Sequence, residues 1–287
     1  MKVTYTCVVS DLHAGSNAGL CPPEVLLDGG GMYGANPQQK KVWEWYLYFC
    51  NKFVPWVTRG KKYDLVINGD AIEGIHHKSI AYITGNKTVH NRIAKQSLDY
   101  LTPGAANVYY VKGTEAHGGA SGENEEALAE MIKAKKDKNG DFARFDLWQE
   151  TPAGLIHYLH HIGTTGRSHF ETSALMAELI EEYVEAGRYH EEPPACIVRS
   201  HRHRYIGIDV PTDTSDAKAV ITPGWQLKTP FTWKIPGARI TTPMLGGVVI
   251  ETVGQFINTY PCYWKVERSE RVKANEYEEK RRRITPN

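Results

Sequence analysis

Several short apolar runs in this chain end at carboxylates or histidines, and this feature constrains the fold most. VTYTCVVS at 3–10 leads into DLH, YDLVIN at 63–68 leads into GD, and ACIVR at 195–199 leads into SHRH. Runs of this length, rich in β-branched residues, are typical of buried strands. Groups that bind ligands lie at the carboxyl ends of strands in open α/β sheets, so we expect these clusters to meet at one edge.

The segments between these runs have a helical pattern. Apolar residues recur every three or four positions over 43–57, and amphipathic patterns cover 123–136 and 172–187. Strand patterns at 107–114 and 155–163 alternate with them, and from 206 onwards short strands follow one another without helices. The alternation predicts an α/β fold that a β-rich segment completes.

The 287 residues are compatible with one large domain. We predict a single domain over 1–265, with a glycine- and proline-rich insertion at about 14–37 that forms a mobile lid or an added element. The segment 266–287 is highly charged and is predicted to be a solvated tail or helix.

Charge and cysteine content exclude several classes of protein. The formal net charge of +1 gives no global attraction to nucleic acid or anionic membranes. No run approaches the ~20 apolar residues of a membrane span, and the N-terminus lacks a signal-peptide pattern, so we expect a cytoplasmic protein without a membrane partner. The five cysteines are scattered and form no CxxC pair, which favours core positions over a disulfide framework.

Three of the strand ends carry residue types that bind metal ions. Asp11 and His13 are two positions apart, which places both side chains on one side of an extended backbone. Asp70 follows a glycine, and His201 and His203 repeat the spacing of two. Carboxylate oxygen and imidazole nitrogen together suit transition-metal ions, so the combination predicts a metal site.

In this order the motifs D-x-H, G-D-x-x-E and H-x-H resemble those of the calcineurin-like metallophosphoesterase family, over about residues 3–205. Similar versions with long lids occur in bacteriophages and prophages. The resemblance implies a four-layer α/β sandwich of two mixed β-sheets flanked by helices. It also implies that Asp11, His13 and His203 hold one metal ion, that Asp70 bridges, and that His201 holds the second ion.

Two further family positions have candidates in this chain. The family has a lone histidine ligand directly after a strand, and the resemblance favours His160 for it; one of His160 and the adjacent His161 would be the ligand and the other would line the site. Glu73 matches the family's acidic position three residues after Asp70, where it either contributes to the site or caps a turn. Arg167 and His169 follow the histidine strand and are candidates for binding the substrate phosphate.

The third motif departs from the family pattern. The family has Gly-Asn-His followed by an acid, whereas this chain has GTEAH at 113–117. Thr114 or Glu115 is the candidate to replace the asparagine oxygen at the second metal ion. His117 is the candidate catalytic residue, which protonates the leaving alkoxide or steadies the phosphate. The alternative is a degenerate loop with a weak second site.

The resemblance implies a hydrolase of phosphate esters, either a phosphomonoesterase or a phosphodiesterase. Two divalent ions, Mn, Fe, Zn or similar, would provide a metal-activated hydroxide. A first alternative is a nuclease acting on DNA or RNA, suggested by Arg199, Arg202, Arg204 and the lysine-rich run 133–140. A second alternative is a non-catalytic scaffold that has lost the second metal. The substrate is thus a phosphate ester, with nucleotides and nucleic acid included; no sequence feature indicates an oligomeric state.

Overall fold

The computed structural model describes residues 2–76, 79–163, 170–212, 216–235, 238–267 and 269–274. The strands in chain order are β1 Val3–Val9, β2 Glu24–Leu26, β3 Met32–Gly34, β4 Tyr63–Asn68, β5 Ala105–Val111, β6 Ala143–Arg144, β7 Leu147–Thr151, β8 Gly154–Tyr158, β9 Cys196–Arg199, β10 Ile206–Pro211, β11 Asp216–Ile221, β12 Met244–Val253 and β13 Phe256–Lys265. The α-helices are α1 Pro37–Tyr48, α2 Val54–Thr58, α3 Lys87–Leu98, α4 Glu115–Gly118, α5 Glu123–Met131 and α6 Glu171–Tyr189.

The strands form two mixed sheets and a small hairpin. One sheet has the order β13-β12-β1-β4-β5-β6, in which β1, β4, β5 and β6 are parallel and β12 runs antiparallel to β1. The second sheet has the order β10-β11-β9-β8-β7, with β8, β9 and β11 parallel. Strands β2 and β3 pair separately. In each sheet the parallel strands therefore end at a common edge.

Alternating side chains of the strands build the layers. In β1, Cys7 and Val9 join a core cluster with the α1, α3 and α5 helices, whereas Val8 faces a second cluster with side chains of the other sheet. A third cluster lies between the second sheet and α6, where Leu175 and Leu179 pack on Ile197. The order is helices, sheet, sheet, helix. The predicted four-layer α/β sandwich is confirmed.

The helix predicted over 43–57 begins earlier and has an irregular centre. Asn36 caps α1 through a reciprocal pair of hydrogen bonds with Gln39, and Pro37 occupies the first turn, which explains the earlier start. A π-helical segment, Phe49–Phe53, connects α1 to α2. The helix predicted to reach residue 136 ends at Met131, and α3 was missed altogether.

The insertion at about 14–37 is not a mobile lid over its first part. Ala14, Ser16, Leu20 and Cys21 are fully buried, and the Gln39 side chain donates a hydrogen bond to the Ser16 carbonyl. The later part forms the β2–β3 hairpin. Close packing beside the site explains the glycines of this first part, whereas a Cβ atom at Gly29, Gly30, Gly31 or Gly34 would meet open space. A Cβ atom on residue 19, for instance, would lie 2.1 Å from the His13 carbonyl oxygen.

Four of the five cysteines are buried, as expected of core residues. Within the described ranges, no helix combines the length and the apolar character needed to cross a membrane. The described part of the charged tail, through residue 274, contains neither helix nor strand, and residues 275–287 lie outside the described residues. The proposed boundary between domain and tail stays a prediction.

Gly246 in β12 offers a test of the sheet that supports β1. A Cβ atom there would lie 1.9 Å from the backbone oxygen of Cys262 on β13, so the strands must separate to accept alanine. We expect Gly246→Ala to lower the free energy of unfolding by about 2 kcal/mol or more, measured by urea denaturation. Gly187→Ala on α6 is the control, because open space surrounds Gly187 and alanine favours helix by about 0.5–1 kcal/mol. Equal effects of the two changes would contradict this packing.

Candidate metal centre

The candidate centre lies where the carboxyl ends of β1, β4, β8 and β9 meet, at the edge shared by both sheets. Asp11 and His13 follow β1, Asp70 follows β4, and His160 follows β8. His201 and His203 follow β9. All six residues predicted as ligands are thus brought together, although they are spread over 193 sequence positions, from Asp11 to His203.

The backbone at these positions is left-handed rather than extended. Eight non-glycine residues of the described chain have positive φ, and five of them are Asp11, His13, Asp70, His201 and His203, with φ between 45° and 70°. We predicted that the spacing of two would place both side chains on one side of an extended strand. The left-handed backbone shows that this reason is wrong. A left-handed residue costs about 1–2 kcal/mol outside glycine, so this strain is concentrated in the site.

The first group of potential ligands is Asp11, His13 and His203. The Nε2 atoms of the two histidines are 3.2 Å apart, and Nε2 of His203 lies 3.2 Å from Oδ1 of Asp11. His13 Nδ1 lies 3.0 Å from Oε2 of Glu73, to which it donates in the neutral tautomer. The lone pair of His13 is then on Nε2 and points toward the shared centre.

The second group is Asp11, Asp70, His160 and His201. Nε2 of His160 lies 3.0 Å from Oδ2 of Asp70, and Nδ1 of His201 lies 3.9 Å from the same oxygen. Asp11 belongs to both groups and Asp70 to one. That Asp70 bridges two ions stays a prediction.

The donor atoms fit divalent cations. Oδ1 of Asp11 and Nε2 of His160 are buried and lie beside His203 and Asp70 of the cluster, without the geometry of a hydrogen bond to any described residue. His160 donates from Nδ1 to the Asn68 carbonyl at 2.7 Å, since a carbonyl can only accept, and this leaves Nε2 toward the carboxylates. Buried polar atoms without partners are costly, and metal-binding histidines commonly donate their second nitrogen to a carbonyl or carboxylate in this way.

The ionised carboxylates of the cluster also favour the binding of a cation. Burial disfavours the charged form of His160, but Asp70 and Asp11 outweigh it and raise the pKa of His160 to about 10. Burial would raise the pKa of Asp70, yet the adjacent His160 holds it well below the usual value. The two carboxylates thus stay ionised next to a proton that a cation would displace.

Glu73 and Gln226 support the first group from behind. Glu73 is buried and accepts from Gln226 Nε2 at 2.8 Å as well as from His13. Burial opposes ionisation of Glu73, but hydrogen bonds from His13 and His76 lower its pKa to about 2. Glu73 therefore orients His13 rather than capping a turn. Gln226, which follows β11, was missed because glutamine is not a metal-ligand type in the sequence motif.

The substituted GTEAH motif lies in the loop after β5, next to Asp70. Thr114 donates to Oδ1 of Asp70 from its backbone nitrogen at 2.7 Å and from its hydroxyl at 3.1 Å, so it contacts the carboxylate directly. Glu115 is exposed and belongs to none of the groups of potential ligands. Of the two candidates for a replacement oxygen, only Thr114 lies at the site.

His117 reaches the cluster despite its displaced sequence position. Its ring packs edge-on against His13 with centroids 4.4 Å apart, and its Nδ1 donates to the Glu73 carbonyl. The tautomer leaves Nε2 as an acceptor. Burial, with a contribution from His13, lowers the pKa of His117 to about 4, so the imidazole is neutral near pH 7. The one-turn α4 helix carries His117 back to the site.

Glu125 on α5 is a buried residue whose role the sequence does not predict. Its carboxylate accepts from the Asp70 backbone nitrogen at 2.9 Å, the Gly113 nitrogen at 2.7 Å and the Tyr110 hydroxyl at 3.0 Å. Glu125 thus joins the loop after β4 to the loop after β5. Burial, followed by the charge of Asp70, raises its pKa to about 7. An acid within an amphipathic helix gives no sequence signal for such a role.

The remaining candidates differ in their positions. His161 is exposed, with ring centroids 5.3 Å from His160 and 5.4 Å from His201, so it borders the site. Arg167 and His169 lie outside the described residues. Arg199, which suggested nucleic-acid binding, is instead buried and paired with Glu178 and Glu182 on α6.

The two other arginines that suggested a nuclease contact neighbouring groups of the protein. Arg202 donates to the Gly163 carbonyl, and Arg204 lies 3.4 Å from Glu171. In the lysine-rich run 133–140, the backbone nitrogen of Lys135 donates to the Val108 carbonyl in the middle of β5.

Comparisons with known proteins give no family match: no family model and no curated protein matches this chain. Solved structures similar to it include Vacuolar Protein Sorting 29 from Cryptosporidium parvum, with 10% identity, a TM-score of 0.38 and coverage of 92% of this chain and 99% of that one. A metallophosphoesterase from Sphaerobacter thermophilus has 10% identity, a TM-score of 0.38 and coverage of 90% and 88%. The sulfate thiohydrolase SoxB from Thermus thermophilus has 9% identity, a TM-score of 0.42 and coverage of 91% and 56%.

The strain at the site predicts an unusual order of stabilities. With metal removed by chelator, we expect His201→Gly to be more stable than His201→Ala by about 1 kcal/mol, because glycine relieves the positive φ. Urea denaturation measures both variants. At Lys41, which is exposed on α1, we expect the alanine variant to be more stable than the glycine variant, since alanine favours helix. Alanine at 201 as stable as glycine would contradict the strain.

The contacts of Glu125 predict a loss of metal affinity at a distance. We expect Glu125→Gln to weaken Mn²⁺ binding about 10- to 100-fold in isothermal titration calorimetry, since an amide cannot accept from both backbone nitrogens with the same strength. Glu126→Gln is the matched control. Glu126 also accepts from two backbone nitrogens, those of Phe142 and Ala143, but away from the site. An equal loss in both variants would argue for a general effect on folding.

Proposed function

We propose that this chain is a metal-dependent hydrolase of phosphate esters, of the calcineurin-like metallophosphoesterase kind and of the type found in bacteriophages and prophages. The single observation that supports it most is the pair of adjacent Asp/His groups that share Asp11, in which Oδ1 of Asp11 and Nε2 of His160 are buried without a hydrogen bond within the described residues. Two adjacent divalent ions are the arrangement that clamps a phosphoryl group. Manganese, iron or zinc suits this donor set.

The roles of the residues follow from their contacts. Asp11, His13 and His203 would hold one ion and Asp70, His160 and His201 would hold the other, with Asp11 common to both groups of potential ligands. The ions would supply Lewis acidity to a bound phosphate and lower the pKa of a water molecule. His201 is 46% exposed, whereas His160 and Asp11 are buried, so the substrate phosphate enters from the His201 side.

We propose that His117 transfers the proton during hydrolysis. In hydrolysis, water oxygen bonds to phosphorus, the ester P–O bond breaks, and the leaving oxygen takes up a proton. Nε2 of His117 is an acceptor in the tautomer that the Glu73 carbonyl selects. A phosphate beside it would raise the low pKa of His117, so that Nε2 can take a proton from water and deliver it to the leaving oxygen.

A non-catalytic scaffold is the second candidate, because threonine replaces the expected asparagine at 114. The second group nevertheless keeps two carboxylates and two histidines without Thr114, and the Thr114 hydroxyl positions Asp70. These contacts favour a site that retains both ions. We therefore give the hydrolase precedence.

Turnover of model esters tests the proposal. With added Mn²⁺ we expect hydrolysis of bis(p-nitrophenyl) phosphate or p-nitrophenyl phosphate, with two metal ions per chain in elemental analysis. His117→Ala should lower kcat by about 10²- to 10⁴-fold and leave the metal content unchanged. His190→Asn, at the exposed end of α6, is the control for histidine loss. If neither ester is cleaved and no metal is retained, the hydrolase is excluded; loss of one metal in His117→Ala would make His117 a ligand.

A further inference from the structure

A segment beside the candidate centre combines exposed aromatic and basic side chains. It comprises residues 227–235 and 238–243 and is called the rim loop here. At one end Trp225 donates to the Asp11 carbonyl at 2.8 Å, and Leu227 donates to the Ala18 carbonyl at 2.8 Å. At the other end Met244 donates to the His203 carbonyl at 2.8 Å. The rim loop therefore leaves and rejoins the fold next to two residues of the centre.

The charge of this part of the chain is one-sided. Residues 217–250 contain no aspartate or glutamate, and the rim loop carries Lys228, Lys234 and Arg239. Lys234 and Arg239 are exposed. In a chain of net charge +1, this concentration of cations attracts anions locally rather than globally. The attraction acts beside a site proposed for a phosphate ester, where a substrate with further phosphates would gain most.

The same loop exposes aromatic surface. Trp233 is 53% exposed and Phe231 is 38% exposed. The Lys228 ammonium lies 4.1 Å from the centroid of the Trp233 ring, and Lys228 also donates to the Arg239 carbonyl, which connects the two halves of the loop. An exposed indole among lysines and arginines is the combination with which proteins bind single strands, by stacking on bases and by attracting the backbone phosphates.

We propose that the rim loop binds single-stranded nucleic acid, with a base stacked on Trp233 and neighbouring phosphates near Lys234 and Arg239. The inference rests on the proposed function in that it makes the substrate of the centre a phosphodiester within such a strand. Water would then cleave one P–O bond of the backbone, leaving a phosphomonoester on one product and a hydroxyl on the other. The basic contacts come from the rim loop and not from Arg199, which is buried in ion pairs.

Binding measured in chelator separates this inference from catalysis. The probes are a fluorescently labelled single-stranded 12-mer and a 12-mer of the same backbone without bases, both followed by fluorescence anisotropy. We expect the strand with bases to bind more tightly. Trp233→Ala should weaken binding of that strand about 10-fold and leave the abasic strand unchanged, since stacking on one base contributes about 1–3 kcal/mol. Trp233→Tyr should restore most of the affinity.

The controls separate stacking from charge. Lys234→Gln should weaken both strands alike and reduce the dependence of affinity on salt, because a phosphate contact is independent of the bases. Trp56→Ala should change nothing, since Trp56 is 70% exposed on α2 and lies outside the rim loop. Failure of the wild-type protein to bind the strand, or equal binding by Trp233→Ala, overturns the inference. A change in oligomeric state on Trp233→Ala without an effect on nucleic acid would identify the loop as a contact between copies instead.

The two proposals fail in different ways. If the model esters are hydrolysed but the 12-mer does not bind, the hydrolase stands and the rim-loop inference falls. If the 12-mer binds through Trp233 but no ester is cleaved with Mn²⁺, the loop is a nucleic-acid surface on a protein that is not the proposed enzyme.

Discussion

A buried chain of hydroxyl and amide groups joins the two sheets directly beneath the candidate centre. The Thr222 hydroxyl contacts the hydroxyls of Ser10 at 2.8 Å and Ser200 at 2.7 Å, and Asn68 Nδ2 donates to the Ser200 hydroxyl at 2.7 Å. All four side chains are fully buried. Because an unpaired hydroxyl or amide is costly at that depth, the two sheets can adopt few relative positions. Ser10, Asn68 and Ser200 each precede a residue of the centre by one or two positions, so the network sets where three of the site loops begin.

The candidate centre itself contains features that lower the stability of the fold. Five residues adopt left-handed backbones, and two carboxylates lie buried among histidines. Such a cluster persists because the layers on both sides are fully packed and because Glu73, Glu125 and Asn68 bind its members from behind. The fold thus pre-organises donor atoms around a cation, and the stability given up locally is supplied by the sheet and helix cores.

Prediction from the sequence succeeded where local pattern and chemistry coincide. β1, β4 and β9 were visible as apolar runs, and the residues after them carried metal-binding groups, so their meeting at one edge was expected. Of the two alternatives for 14–37, a mobile lid does not fit the buried first part, where Gly19 permits close packing, and the added element stays a prediction. α3 and the role of Glu125 left no motif, since partners 55 positions apart, such as Glu125 and Asp70, are related only through the folded chain.

The sequence by itself determined the alternation of strands and helices, and with it the layered sandwich and the set of residues offered at its edge. It also carried the substitution at Thr114 and the one-sided charge of residues 217–250. Only the tertiary structure decided that His160 rather than His161 belongs to the cluster, that His117 returns to it, and that Arg199 does not face a substrate. The physical reason is that identity and spacing specify what a side chain can bind. Backbone conformation, burial and distant partners specify what it does bind.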